Sequence, residues 1–344
     1  MRGIVAMSSS DCTPHSYTSS AHCGSRVPGD LTGIRGPGYP ARSSAGTTLP
    51  RLCLEIHHRT RRGAHSVPVH YEKNGRIGHI KLEGRGDYNV FSPDFVYNPL
   101  HDALIDFIQD PDQWVVILSA VEGKKAFTYG GDIQSLDKLA QGKDSGTRGY
   151  EGGENRVWRP NVDQRTEQLF NGELKLNKPV IFAVNGDCIG AGTLLLMSLA
   201  DIAVAAEGAR FGLPEIKPAI GPITSWAEAL ITRQLPWRIA MELLVTGRLM
   251  PAEEALGHGF INRVAAPDEV MADALDYAEQ IAANPPLHVQ GSKMLAKSCR
   301  EVPFASSLLQ GDLMGEVLKH VPDSKEGPRA FMEKRRPQYT GKVD

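Results

Sequence analysis

Several things are scarce in this chain, and each absence removes a class of function. Five cysteines, Cys12, Cys23, Cys53, Cys188 and Cys299, are scattered over 344 residues with no CxxC pair and no Cys/His cluster. That spacing fits neither a zinc site nor a disulfide framework, and it suggests a reducing compartment. No apolar run approaches the roughly 18–20 residues needed to cross a bilayer; the patch Thr193–Leu199 is short and gives way to Asp201. The formal net charge is only −2, so nothing marks a general nucleic-acid binder. No GxxxxGK[ST] loop, GxSxG elbow or HExxH helix occurs, which removes phosphate-loop, serine-hydrolase and zincin chemistry. No secretory h-region follows the first residues. The expectation is a cytoplasmic protein with no metal and no membrane partner.

What is present is an ordinary globular composition, 41% hydrophobic and 23% charged, in a chain long enough for a sizeable core. Residues 1–66 differ from the rest. Ser, Gly, Pro, Thr and Arg dominate Ser8–Ser66, with acidic residues only at Asp11, Asp30 and Glu55. The segment reads as a disordered extension. Its Arg- and Ser-rich composition also fits a transit peptide, which would place the protein in the mitochondrial matrix.

From Val67 onward the pattern becomes structured. Val67–Glu72 and Arg76–Glu83 alternate around Lys73-Asn74-Gly75 as a hairpin. Phe95–Gln109 has helical spacing, Trp114–Ala120 is a buried-strand run, and Val180–Val184 is another. Ile133–Leu139 reads as a short helix capped by Asp132, and Gln141–Pro160 as a Gly-rich loop carrying Tyr150 and Trp158. Beyond Phe211 the chain is mainly helical. The organisation is α/β, with a core over 67–265 and a helical region over 266–344.

Two stretches carry chemistry. Phe127–Ile133 and Asn185–Thr193 each leave an apolar run through glycines and open a helical pattern. Free backbone N–H groups at the positive end of a helix can face a developing negative oxygen. Two such donors make an oxyanion hole. Taken singly, Gly131 reads first as a tight-turn glycine, and Ala191 has the corresponding reading as a close-packing residue. The Gly190-Ala191-Gly192 triplet also suggests a dinucleotide fold, but Leu195 replaces the third glycine. Glu215, in the apolar Phe211–Ile216 segment, reads evenly as a loop glutamate or a proton carrier whose pKa is raised by its surroundings. Phe331–Arg336 puts an aromatic beside basic groups, either a solvated helix end or a phosphate contact.

These residues resemble the crotonase superfamily, the enoyl-CoA hydratase/isomerase enzymes, from about Val69 to the C-terminus. The strongest pieces are Ala126–Ile133, Lys178–Ala191, Asp201–Glu215, Leu244–Ala255 and Phe331–Arg335. The resemblance implies a crotonase-like spiral of ββα repeats with a helical C-terminal trimerisation region. It implies oxyanion donors at Gly131 and Ala191, and an acyl-CoA channel lined by Gly131, Asp132 and Ile133. Coenzyme A then enters as part of the substrate, with no separate cofactor. Phe331 and Lys334 match the pair that contacts CoA across subunits in a trimer or dimer of trimers. The family's hydratases use two glutamates; here Glu215 keeps the second, and Leu194 occupies the place of the first. A lone glutamate suffices for a 1,3-proton shift, so the expectation is Δ3-to-Δ2 enoyl-CoA isomerisation. Hydratase or dehydratase, C–C bond hydrolase and non-catalytic binding protein are the alternatives.

Overall fold

The computed structural model describes residues 68–132, 164–218 and 226–343. The extension, Ile133, the short helix expected after Asp132, and the loop with Tyr150 and Trp158 lie outside the described residues.

The hairpin forms β1 (Val69–Asn74) and β2 (Ile77–Leu82), paired antiparallel with Asn74 opposite Ile77. The turn is therefore Gly75-Arg76, two residues beyond the expected start. Gly75 has φ +59°, the left-handed conformation that a two-residue hairpin loop demands. A π-helical turn, Pro93–Tyr97, then leads into α1 (Asn98–Gln109), which buries Leu100, Ala103, Leu104 and Phe107.

Next come β3 (Val115–Ala120) and β4 (Ala126–Thr128), α2 (Gln164–Phe170), β5 (Val180–Val184) and β6 (Asp187–Ile189). They are followed by α3 (Ala191–Leu199), β7 (Ile202–Ala206) and β8 (Arg210–Gly212). The strands deal alternately into two sheets. β3, β5 and β7 lie in one sheet and β4, β6 and β8 in the other, so each strand pair adds one rung to both. That alternation is the spiral of ββα repeats. β3 and β5 are buried at every residue, as parallel strands covered on both faces must be.

The helical part continues with α4 (Trp226–Gln234), α5 (Trp237–Thr246), α6 (Ala252–Gly257), α7 (Val270–Ala282), α8 (Pro286–Cys299), α9 (Phe304–Leu318) and α10 (Asp323–Met332). Two short strands, β9 (Met250–Pro251) and β10 (Arg263–Ala265), complete the smaller and larger sheets. The larger sheet runs β1-β2-β3-β5-β7-β10 and the smaller β4-β6-β8-β9. α7 packs on the larger sheet through Val270, Ala274, Ala278 and Ala282. No helix among the described residues is long and apolar enough to cross a membrane.

Candidate active site

The first glycine loop is fixed by a side chain that spacing did not single out. Asn89 is fully buried at φ +54°, and its amide donates to the Leu82 and Phe127 carbonyls at 3.2 and 2.6 Å. The Thr128 hydroxyl donates to the Asn89 carbonyl at 2.7 Å and accepts from the Gly130 N–H at 3.0 Å. On either side of Gly131, the Phe91 N–H donates to the Gly130 carbonyl and the Asp132 N–H to the Phe91 carbonyl, both at 2.9 Å. These bonds bracket Gly131 and leave its own N–H without a partner among the described residues. Asp132 pairs with Arg85 at 3.0 Å.

The second loop is held by Thr193. Its hydroxyl donates to the Cys188 carbonyl at 2.5 Å and accepts from the Gly212 N–H at 3.1 Å. The Gly190 N–H returns to the Gly212 carbonyl at 2.8 Å. One hydroxyl thus ties the start of α3 to β6 and β8, the strand that leads to Glu215. Ala191 is the first residue of α3, so helix geometry gives its N–H no intrahelical acceptor, and none is met elsewhere among the described residues.

The two loops touch. A β-carbon on Gly130 would stand 2.9 Å from the Ile189 carbonyl oxygen and 3.1 Å from the Ala191 nitrogen. One on Gly192 would collide with the Thr128 methyl. Gly130 at φ +92° and Gly190 at φ +58° are glycines for conformational reasons as well. The same contact reaches the carboxylate, because a β-carbon on Gly190 would lie 2.8 Å from Glu215 Oε1. Gly131, Ala191 and Glu215 therefore gather around one small volume.

Glu215 sits in a 3-10 turn, Pro214–Ile216, directly after β8. Burial holds its carboxyl above the ordinary 4.5; a local backbone hydrogen bond opposes this, and the charge of Glu228 adds to it. Its Oε2 is buried with no hydrogen-bond partner among the described residues. Leu194, at the place of the missing glutamate, is buried at 7% exposure. Among the described residues no metal-ligating cluster occurs.

Phe331 and Lys334 lie at the far end of α10, exposed, with Lys334 at φ +55°. An ion-pair network of Arg335 with Glu326 and Glu333 secures this turn. Neither residue makes a hydrogen bond or ring contact with the Glu215 region among the described residues. Sequence reasoning missed Asn89 and Thr193. Thr193 follows the glycine triplet and could have been found as a hydroxyl in an otherwise apolar helix start, whereas Asn89 gives no local signal.

The pattern of the family "Enoyl-CoA hydratase/isomerase" matches residues 72–342. A carnitinyl-CoA dehydratase of Salmonella typhi is 34% identical over 284 residues, covering 80% of this chain and all of the relative. The crystal structure of enoyl-CoA hydratase from Mycobacterium tuberculosis H37Rv is 30% identical with a TM-score of 0.66, covering 80% of this chain and all of that one. An enoyl-CoA hydratase from Bacillus anthracis, at 28% identity, 80% and 100% coverage and a TM-score of 0.67, has the same fold. With the family pattern matched over residues 72–342 and relatives covered over their whole length, the chain belongs to the enoyl-CoA hydratase/isomerase family, the crotonase enzymes.

Proposed function

We propose that the enzyme forms an enolate from an acyl-CoA thioester and moves the double bond from Δ3 to Δ2. The observation that carries this reading is the carboxylate of Glu215 beside the N–H groups of Gly131 and Ala191, which are unpaired among the described residues, with Leu194 where the second glutamate of the family's hydratases would stand. The amides take the charge that develops on the thioester oxygen. Glu215 removes a proton from the α-carbon and returns it at the γ-carbon on the same face. A raised pKa suits that exchange, since it makes the carboxylate a stronger base toward the α-carbon.

Dehydration is the second reading, favoured by the dehydratase names of the relatives at 34% identity. Product analysis separates the two. With a 3-enoyl-CoA, isomerisation leaves the mass unchanged and creates the conjugated enoyl absorbance. With a 2-enoyl-CoA, hydration adds the mass of one water and removes that absorbance. Absence of both changes overturns the assignment.

The proposed assembly is a homotrimer or a dimer of trimers. Supporting it, α9 has no buried residue and exposes Phe304, Leu308, Leu309, Leu313 and Val317. In such an assembly Phe331 and Lys334 of one subunit would contact CoA held by another. Asp132 would line the acyl-CoA channel.

A further inference from the structure

α10 is poorly suited to stand alone as a helix. Gly327 and Pro328 are adjacent in its middle, and these are the two residue types least favourable in a helix interior. A strap, residues 337–343, runs back along it and holds it. The buried carboxylate of Asp323, in the first turn, accepts from the Thr340 and Gly341 N–H groups, both at 2.9 Å. One turn on, Glu326 accepts from the Gln338 N–H at 2.8 Å and from both terminal nitrogens of Arg335. Gly327 leaves room for the Tyr339 phenol, since a β-carbon there would stand 3.2 Å from the phenol oxygen.

The strap also reaches the larger sheet. Arg76, just ahead of β2, lays its guanidinium over the Trp114 ring at 3.7 Å. It donates to the Tyr339 carbonyl at 2.7 Å and to the Ala282 carbonyl, at the end of α7, at 3.1 Å. Gly341, at φ +68°, rests against Pro286 and Trp114. At the other end of α10, the Arg335 N–H donates to the Ala330 carbonyl at 3.1 Å and the Lys334 N–H to the Phe331 carbonyl at 3.2 Å. These are the paired bonds of a Schellman motif, and Lys334, at φ +55°, takes the left-handed position that glycine usually fills. A side chain kept in a strained conformation points to a use for it. Arg329 and Arg335 are ion-paired with Glu333 and Glu326, whereas Lys334 has no ion pair among the described residues. Phe331, three residues earlier, is 85% exposed.

We infer that the strap is a positioning device for the nucleotide part of CoA. Anchored on Asp323 and on Arg76, it fixes α10 and the turn that presents Phe331 and Lys334. Asp323 and Arg76 are positioning residues, acting on the ligand through that turn. The inference rests on the reading that Phe331 and Lys334 contact CoA. A turn already ordered in the free protein spares the binding step the cost of ordering two side chains and a weak helix. The Lys334 ammonium then meets a phosphate as a point charge.

The test measures, by titration calorimetry on the full-length protein, binding of butanoyl-CoA and of butanoyl-pantetheine, which carries the same thioester without the nucleotide. Asp323→Asn turns an acceptor into a donor facing the N–H groups of the strap. Arg76→Gln frees the strap from Trp114 at a distant point, and carries the test should the first variant fail to fold. Each is expected to bind butanoyl-CoA about fivefold or more weakly than wild type, and butanoyl-pantetheine within about twofold of it. Lys334→Ala also weakens butanoyl-CoA, and combining it with Asp323→Asn or Arg76→Gln costs less than the product of the single losses. Equal losses for both ligands, no loss for either, or the full product in the double variants overturn the strap as a positioning device. Unchanged butanoyl-CoA binding in Lys334→Ala instead overturns the CoA contact itself, and the inference with it.

Discussion

Gly190 and Glu215 are packed against each other, with no room for a methyl group between the Gly190 α-carbon and the Glu215 Oε1. The backbone that carries the Ala191 amide is thus the surface on which the carboxylate rests. Gly190→Ala forces a side chain into a φ of +58° and pushes Glu215 aside. Turnover is expected to drop at least about 10²-fold, since misplacing a reacting group by an ångström costs that much. Steady-state kinetics together with a thermal melt check this; a well-folded variant with full activity contradicts the contact's importance.

Ala191→Pro isolates one donor. Proline is tolerated at the first position of a helix, where its missing N–H has no intrahelical partner. The variant is expected to keep its circular dichroism spectrum and to lose about 10²–10³ in turnover. The proline ring also enters the hole, so affinity for acyl-CoA is expected to fall with it.

Glu215→Gln trades activity for stability. Because burial raises the folded-state pKa above the ordinary 4.5, the folded protein binds this proton more tightly than the unfolded chain. Stability from this group is present below 4.5 and is lost as pH rises through the raised value. At pH 7 the wild type carries the penalty of the buried charge and the Gln variant does not. Melting curves are expected to show the variant more stable at neutral pH, with the difference shrinking toward pH 4. Wild-type turnover correspondingly declines as acid protonates the base.

His79 sets a slope of the opposite sign. Burial pulls its imidazole from 6.5 down to about 4, Lys81 assists, Glu72 opposes, and the ring lies 2.8 Å from the Ser119 hydroxyl. Between those pH values the unfolded chain is protonated and the folded one is not, so stability falls as pH drops from 6.5 toward 4. The difference of about 2.5 units bounds the loss at about 3 kcal/mol. His79→Gln is expected to flatten this acid limb in denaturant titrations.

Much of the larger sheet was legible because its strands are long. Val115–Ala120 and Val180–Val184 are unbroken apolar runs, and the hairpin alternates over six residues on each side. The smaller sheet was not, since β4, β6, β8 and β9 contain only two or three residues each, too few for any periodicity to register. Gly131, Ala191 and Glu215 were visible through their flanking glycines and proline. Asn89 was not, because its role arises from contact with a segment 38 residues away, at Phe127.

Exchange of the α-proton tests the enolate centre most directly, because it needs neither isomerisation nor water loss to follow. Butanoyl-CoA is incubated with enzyme in deuterium oxide, and its mass is followed with time. Wild type is expected to place deuterium on the α-carbon, and Glu215→Gln to leave the thioester unlabelled. Exchange at equal rates in the two proteins, or none in the wild type, contradicts the assignment of Glu215 and the paired amides.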